Sequence, residues 1–259
     1  MSYKKILDEI VWSFSTLHLY EQCPYAFYCK KIECKDGEQN FFAENGSVMH
    51  EIFEELLNRK YGIAEAPITY SDRYDLICSK TKQSTMDKTF EKCMDYLCSV
   101  DEFDFDRYEI LGVELKLNFE IEKYKFIGFV DLVIKDKTNG EVILIDHKSS
   151  DHFMKKDGTP LKNQLENFLA YKKQMYMYCK GLKDCFDINV NKIVWHHFKD
   201  SGELTVIPFV ESECEETTKW AVDTIKKIYK DRSFKDKKSF MMCGQLCDYR
   251  NDCEYLQNE

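Results

Sequence analysis

Hydrophobic positions follow a helical period over roughly the first hundred residues of the chain. Apolar side chains recur three and four residues apart, as at Val48 and Ile52, and this spacing predicts amphipathic helices. The hydroxyl of Ser13 can cap the amino end of a helix that runs on through Phe27. Two further helices are predicted over about 46–59 and 74–100.

The spacing then changes to an alternation of apolar and charged residues, which is typical of β-strands. Leu115, Leu117 and Phe119 alternate with polar neighbours, and a later Asn139–Gly140 pair suits the positive φ angles of a hairpin turn. The predicted strands cover 109–121, 126–134, 142–148, 191–199 and 203–209, and two later helices cover about 161–180 and 212–230.

This order of elements predicts an α/β domain with a central mixed sheet flanked by helices. We expect one domain with a mainly helical part at 1–105, an α/β core at 106–210, and a helix and cysteine-containing tail at 211–259. The amino-terminal residues have no apolar signal core and no apolar run is long enough to span a membrane, so we expect a cytoplasmic protein.

The net charge of −9 argues against a surface coated in basic charge. A local basic groove is still compatible with this composition, because an acidic metal site adds negative charge of its own. Charge runs of this kind are usually solvated faces. Lysines and one arginine near the centre and before the tail could follow phosphates: Lys155, Lys156, Lys162, Lys172, Lys173, Lys226, Lys227, Lys230, Arg232, Lys235, Lys237 and Lys238.

Two carboxylates lie at the ends of neighbouring predicted strands. Asp146 and Lys148 are two residues apart on one strand, so their side chains leave the same face, and Asp131 lies on the strand paired with it. Two carboxylates at an apolar strand end are unfavourable unless a cation neutralises them, and oxygen ligands favour Mg²⁺ or Mn²⁺. A solvated strand end is the alternative interpretation. Glu114 lies on the preceding strand. A position on a solvated strand face explains this residue as well as a role in the site does.

Further candidate residues lie on two predicted helices. Gln174 and Tyr178 are four residues apart, so they share a helix face that could lie over the strand ends and touch a substrate backbone. His50 follows Gly46 by four residues, and a lone helical histidine of this kind is usually structural.

The cysteines form a different pattern. Cys243, Cys247 and Cys253 close the chain, and a fourth, Cys23, precedes a proline near its beginning. Four thiolates can hold an iron–sulfur cluster or a zinc ion, and Cys29 or Cys34 could take the place of Cys23. The remaining cysteines are scattered, and we expect them to be small buried hydrophobes: Cys78, Cys93, Cys98, Cys179, Cys185 and Cys214.

Taken in order, six motifs resemble the RecB-like nucleases of the PD-(D/E)XK superfamily. The motifs are Ser13-Phe-Ser15-x-Leu17-x-x-Tyr20-x-x-Cys23-Pro24-x-x-Phe27, Gly46-x-x-x-His50, Gly128-x-x-Asp131, Asp146-x-Lys148, Gln174-x-x-x-Tyr178 and the three final cysteines. The chain is most similar to the iron–sulfur branch, which contains the CRISPR-adaptation exonucleases and the nuclease domain of AddB. Three residues separate Cys243 from Cys247, where that branch has two.

The resemblance implies a restriction-endonuclease-like fold and a metal-dependent DNA nuclease. It implies that His50, Asp131, Asp146 and the main-chain carbonyl of His147 hold Mg²⁺ or Mn²⁺, and that Lys148 orients the attacking water. Gln174 and Tyr178 would position the strand. Cys23, Cys243, Cys247 and Cys253 would bind a 4Fe–4S cluster that joins the helical part to the tail.

The implied activity is exonuclease cleavage of single-stranded DNA or DNA ends, with endonuclease cleavage in addition. The implied setting is phage or prokaryotic recombination, repair or CRISPR adaptation. Since the chain has no nucleotide-binding G-x-x-x-x-G-K-[ST] run, unwinding would need a helicase, recombinase or CRISPR-adaptation partner. The alternative is a non-catalytic nucleic-acid-binding or assembly module that keeps the fold and the cluster.

Overall fold

The computed structural model describes residues 3–38, 40–77, 81–237, 242–251 and 253–257, so Cys78 and Lys238 lie outside it. The helices are α1 (Lys4–Asp8), α2 (Phe14–Gln22), α3 (Pro24–Lys31), α4 (Phe41–Leu57), α5 (Ala66–Tyr74), α6 (Gln83–Ser99), α7 (Leu165–Phe186), α8 (Glu211–Lys230) and α9 (Glu254–Gln257). The strands are β1 (Tyr108–Ile121), β2 (Tyr124–Asp136), β3 (Val142–Lys148), β4 (Lys192–His197) and β5 (Glu203–Pro208). Short turns of 3₁₀ and π helix cover Ile63–Glu65 and Met242–Leu246.

The single helix expected from Ser13 through Phe27 is wrong, because the chain breaks at Cys23. Ser13 does cap α2, and its hydroxyl accepts a hydrogen bond from the Thr16 amide at 3.2 Å. Cys23 is extended, with φ −157° and ψ 105°. The ring of Pro24 clashes with a helical conformation of the residue before it, so α2 ends here and α3 begins.

Two other helix boundaries differ from the expectation. Helix α4 begins at Phe41 rather than near residue 46, because the Asn40 side chain accepts hydrogen bonds from the Phe42 and Ala43 amides, both at 3.1 Å. The helix expected over 74–100 begins only at Gln83, after the separate helix α5.

The expected mixed sheet flanked by helices is confirmed. Its five strands lie in the order β1-β2-β3-β4-β5, and all neighbours are antiparallel except β3 and β4. Helix α7 provides the crossover that a parallel pair needs. Leu132 lies opposite Ile145, so the register places Asp131 and Asp146 side by side at the next position.

The helices contribute to two hydrophobic cores. The main core lies between the sheet, α2, α7 and α8, whereas a second core joins α4, α5 and α6. None of the helices in the described ranges is both long and apolar enough to cross a membrane.

A ring cluster joins the beginning of the chain to its end. The side chain of Phe234 is buried, with its ring centroid 6.0 Å from that of Phe27 and 5.5 Å from that of Tyr28. The hydroxyl of Tyr20 donates to Asp231 at 2.9 Å. Phe234 has a φ of +41°, which is strained for a bulky side chain, so these contacts hold it in an unfavourable backbone conformation.

Candidate active site

A histidine and two carboxylates converge at the junction of α4, β1 and β2. His50 Nδ1 lies 3.4 Å from Asp131 Oδ2 and 3.9 Å from Glu114 Oε1. One ligand atom from each of these residues falls within 4.8 Å of the other two, which is close enough to hold one ion. Of the predicted metal ligands, this group contains His50 and Asp131 but not Asp146, and the structure adds Glu114 to it.

Irregular backbone brings Glu114 into this group. Its φ of +46° is left-handed, and it lies between the paired positions Val113 and Leu115, across from Asp131. Val130 and Val133 both belong to the main core although they are three residues apart. The alternation of β2 side chains between the two faces of the sheet therefore shifts by one residue at this point. An irregularity in two paired strands next to converging carboxylates is typical of functional sites.

Lys148 lies between Asp146 and helix α7. Its ammonium is 2.6 Å from Asp146 Oδ2, donates to Gln174 Oε1 at 3.2 Å, and lies 4.4 Å from the centre of the Tyr171 ring. Tyr171 was not among the predicted residues, although it is three positions before Gln174 and shares its helix face.

The expected pair on α7 also lies at the site. Gln174 Nε2 donates to the Tyr178 hydroxyl at 2.8 Å, so a chain of polar contacts runs from Lys148 to Tyr178. The Tyr178 ring packs on Gly128, where a Cβ atom would come within 2.9 Å of its Cε1. Gly128 therefore allows the ring to approach the sheet.

His147 contributes its backbone to the site and its ring to the opposite face. Its amide donates to Asp131 Oδ2 at 2.7 Å, and its carbonyl oxygen lies 3.0 Å from His50 Nε2. Its Nδ1 lies 2.8 Å from Nδ1 of His196. Burial, followed by the charge of His196, lowers the pKa of His147 well below its ordinary value.

Burial and charge shift the protonation of the central groups. Burial, and next the charge of Asp146, raise the pKa of Asp131 to about 7. Burial alone would lower the pKa of His50, but the carboxylates of Asp131 and Glu114 raise it. Burial alone would likewise lower the pKa of Lys148, whereas the adjacent Asp146 carboxylate raises it.

The donor set suits a hard divalent cation. Asp146 Oδ2 is buried and forms an ion pair with Lys148. It makes no aligned hydrogen bond within the described chain. Carboxylates with one imidazole and a main-chain carbonyl are ligands for Mg²⁺ or Mn²⁺. A cation here would also offset the repulsion that raises the pKa of Asp131.

The four predicted cysteine ligands line one small cavity of about 20 Å³. Cys23 comes from the break between α2 and α3, and Cys243, Cys247 and Cys253 come from the tail. Burial, and after it the neighbouring thiols, raise the pKa of Cys247 to about 11. The four predicted thiols thus share one cavity, but among the described residues no three of their sulfur atoms lie within 4.8 Å of one another.

The other cysteines divide into two groups. Cys93, Cys179 and Cys214 are buried, as expected for small hydrophobes. The same expectation is wrong for Cys98, which is exposed, and for Cys185, which is half-buried. The alternative ligands Cys29 and Cys34 do not line the cavity: Cys29 packs in the core beneath it and Cys34 is exposed.

A solved structure shares this fold at low sequence identity, and a second one aligns more weakly. The crystal structure of a "Putative exonuclease" from Eubacterium rectale aligns with a TM-score of 0.56 and 12% identity, covering 96% of this chain and 88% of its own. A protein called SSO0001 aligns with a TM-score of 0.39 and 18% identity over 97% of this chain and 93% of its own. None of the curated proteins matches the chain significantly.

The comparison with protein families is more specific. The family model of the PD-(D/E)XK nuclease superfamily matches residues 11–254. This range contains all the motifs that carried the resemblance, whereas the iron–sulfur branch within the superfamily stays a prediction. Since the match covers nearly the whole chain, the protein belongs to the PD-(D/E)XK nuclease superfamily.

Proposed function

We propose that this protein is a Mg²⁺- or Mn²⁺-dependent deoxyribonuclease that cleaves single-stranded DNA or DNA ends. The observation that carries the proposal is the group of His50, Glu114 and Asp131 beside the Asp146–Lys148 pair, in a chain of this superfamily. The exonuclease name of the Eubacterium rectale protein, which has the same fold, is in line with cleavage from an end.

The metal would be held by His50, Glu114, Asp131, Asp146 and the carbonyl of His147. When bound, it would supply Lewis acidity, which activates water and neutralises charge on the scissile phosphate. The protein's own part is to hold these donors before the metal arrives. His147 contributes by donating its amide to Asp131, which fixes the carboxylate in place.

Lys148 is proposed to orient the nucleophile and to stabilise negative charge as it develops on the phosphate. Its raised pKa keeps it cationic, which this role requires. Gln174 holds the ammonium from one side, and the Tyr171 ring faces it from another. Gln174 and Tyr178 are proposed to position the DNA backbone next to this cation.

We also propose that Cys23, Cys243, Cys247 and Cys253 bind a 4Fe–4S cluster, with zinc as the alternative occupant. Its role would be to fasten the tail to the break between α2 and α3, far along the chain from the carboxylates. Anaerobic purification followed by a visible spectrum and by iron and zinc analysis decides between the two occupants.

Cleavage of end-labelled single-stranded and double-stranded DNA with Mg²⁺ or Mn²⁺ tests the nuclease. Asp146→Ala and Lys148→Ala are expected to lose cleavage, whereas Asp95→Ala and Lys135→Ala, which change exposed residues elsewhere, are expected to retain it. Protein that binds DNA but cuts nothing with either metal would refute the nuclease and leave a binding module.

A further inference from the structure

A basic concave surface, which we call the distal lysine pocket, lies where α1, the β1–β2 turn and the end of α8 meet. It has a volume of about 430 Å³, within the range of about 300–1,000 Å³ that is typical of ligand sites. Its lining consists of Lys4, Lys123, Lys226 and Lys230, with Asp8 and the rings of Tyr124 and Tyr229.

The charge of the pocket is opposite to that of the whole protein. Four lysines face one aspartate here, although the net charge of the chain is −9. Within the described chain, Lys123, Lys226 and Lys230 pair with no carboxylate. Like charges that converge in this way repel one another unless an anion lies between them.

Helix stabilisation explains only part of this arrangement. A lysine in the last turn of α8 is favoured by the helix dipole, which accounts for Lys230 but not for Lys226, one turn earlier. It does not account for Lys4 and Lys123, which come from α1 and from the β1–β2 turn. Three separate segments therefore direct lysines to one pocket.

Aromatic rings accompany the lysines. The ring centroids of Tyr124 and Tyr229 are 6.5 Å apart, and the Tyr229 hydroxyl donates to Asp8 at 2.7 Å, which holds that ring in place. The Lys123 ammonium lies 5.5 Å from the Tyr124 ring centre. Cationic groups interleaved with aromatic rings are the combination that binds single-stranded nucleic acid.

The pocket and the active site lie at a defined separation along one strand. Tyr124 and Asp131 are seven residues apart on β2, which corresponds to about 23 Å at roughly 3.3 Å per residue. A DNA strand in a duplex advances by about 3.4 Å per nucleotide along the helix axis, so it needs about seven nucleotides to cover this distance, and an extended single strand needs fewer.

We infer that the distal lysine pocket binds the phosphodiester backbone of the same single DNA strand, several nucleotides from the cut. The inference rests on the proposed nuclease function and adds a second contact to it. The enzyme would thus hold a long strand at two points and a short strand at one.

Fluorescence anisotropy of the metal-free full-length protein tests this contact with poly(dT) strands of about three nucleotides, too short to reach both sites, and of about 20 nucleotides. Lys226→Ala/Lys230→Ala is expected to weaken binding of the long strand and to reduce the slope of log K against log salt by about 1.4, or about 0.7 for each phosphate contact. Lys88→Ala/Lys92→Ala removes two exposed lysines at the same spacing on α6 and is expected to change neither quantity.

Replacement by arginine, as in Lys226→Arg/Lys230→Arg, is expected to keep the advantage of the long strand, since it preserves the charge. An unchanged affinity and salt slope for the long strand in the alanine variant would overturn the inference. An equal loss on both strand lengths would also overturn it, because it would place the contact next to the cut. Either result leaves metal-dependent cleavage by the unaltered protein as a separate test of the nuclease function.

Discussion

The close approach of Gly128 to Tyr178 makes Gly128→Ala a sharp test of the proposed active site. The added Cβ would lie 2.9 Å from Tyr178 Cε1 and 3.1 Å from its Cδ1. Ordinary contact begins at 3.4 Å, so the ring must withdraw from the sheet by about 0.5 Å (3.4 − 2.9) or more. Because its hydroxyl accepts from Gln174, and Gln174 accepts from Lys148, the displacement reaches the proposed catalytic cation.

Two magnitudes follow from this displacement. Overpacking of a buried site costs about 1–3 kcal/mol in the free energy of unfolding. For a chain of this size, about 1 kcal/mol lowers the melting temperature by roughly 2–4 °C, so Gly128→Ala should lower it by about 2–12 °C. A displacement of roughly half an ångström in a positioning residue is expected to lower the cleavage rate on the order of tenfold.

Thermal unfolding by circular dichroism and cleavage measured well below the melting temperature separate the two effects. Gly181→Ala is the matched control on α7, because its Cβ would meet Leu117 Cδ1 at 2.7 Å and the Phe119 ring rather than Tyr178. It is expected to unfold at a lower temperature with a smaller loss of cleavage than Gly128→Ala shows.

The double variant Gly128→Ala/Tyr178→Leu removes the ring that clashes. We expect it to be more stable than the sum of the two single changes implies, while cleavage stays low. If the losses of stability in the two single variants simply add in the double variant, the contact between Gly128 and Tyr178 is refuted. Full cleavage by Gly128→Ala at a lowered melting temperature would refute the positioning role of Tyr178.

Three further predictions concern other parts of the molecule. Glu114→Gln should weaken Mn²⁺ binding about tenfold or more in titration calorimetry, whereas Glu120→Gln, on the exposed face of the same strand, should leave it unchanged. Cys247→Ala should reduce soluble yield and melting temperature first and lose cleavage as a consequence, measured together with the visible spectrum. Hydrogen bonds from Arg107, followed by those from Thr138, hold the pKa of Asp136 at about 2, so its ionised form stabilises the fold above pH 4 and this contribution is lost as the pH falls toward 2. The melting temperature of Asp136→Asn should therefore lie furthest below that of the unaltered protein near neutral pH and approach it in acid.

Each of these has a result that would contradict it. Equal Mn²⁺ affinity in Glu114→Gln and Glu120→Gln would remove Glu114 from the metal site. A stable, colourless Cys247→Ala with full cleavage would show that a cluster is dispensable. A difference in melting temperature for Asp136→Asn that does not change with pH would show that the Arg107 contact contributes through packing rather than charge.

Local sequence signals were sufficient to predict the sheet and to place Asp131 beside Asp146. Strand β3 runs from Val142 to Lys148 as predicted, because a run of β-branched and apolar residues follows a turn and ends at a charged pair. The Asn139–Gly140 turn brings β2 and β3 together in a register that aligns the two carboxylates. The hydrophobic pattern and the turn thus determine where Asp131 and Asp146 lie.

Glu114 could not be assigned to the site from the same pattern. The alternation of β1 places it on the polar face, and only a left-handed φ and a shift in the facing of β2 turn it toward His50. These features depend on packing between strands and α4, which local sequence does not encode. The break at Cys23, by contrast, has a signal in the sequence that the single-helix prediction missed, because the residue before a proline rarely stays helical.

The ring cluster around Phe234 has a consequence for how the chain is made. Helix α3 ends at Lys31, and Phe234 follows 203 residues later (234 − 31). At a synthesis rate of about 5–20 residues per second, the aromatic faces of Tyr20, Phe27 and Tyr28 wait about 10–40 s on the ribosome for this partner. During that interval the rings of the amino-terminal helices lack the Phe234 ring that packs on them in the finished protein, so this face is open to non-native contacts until synthesis is nearly complete.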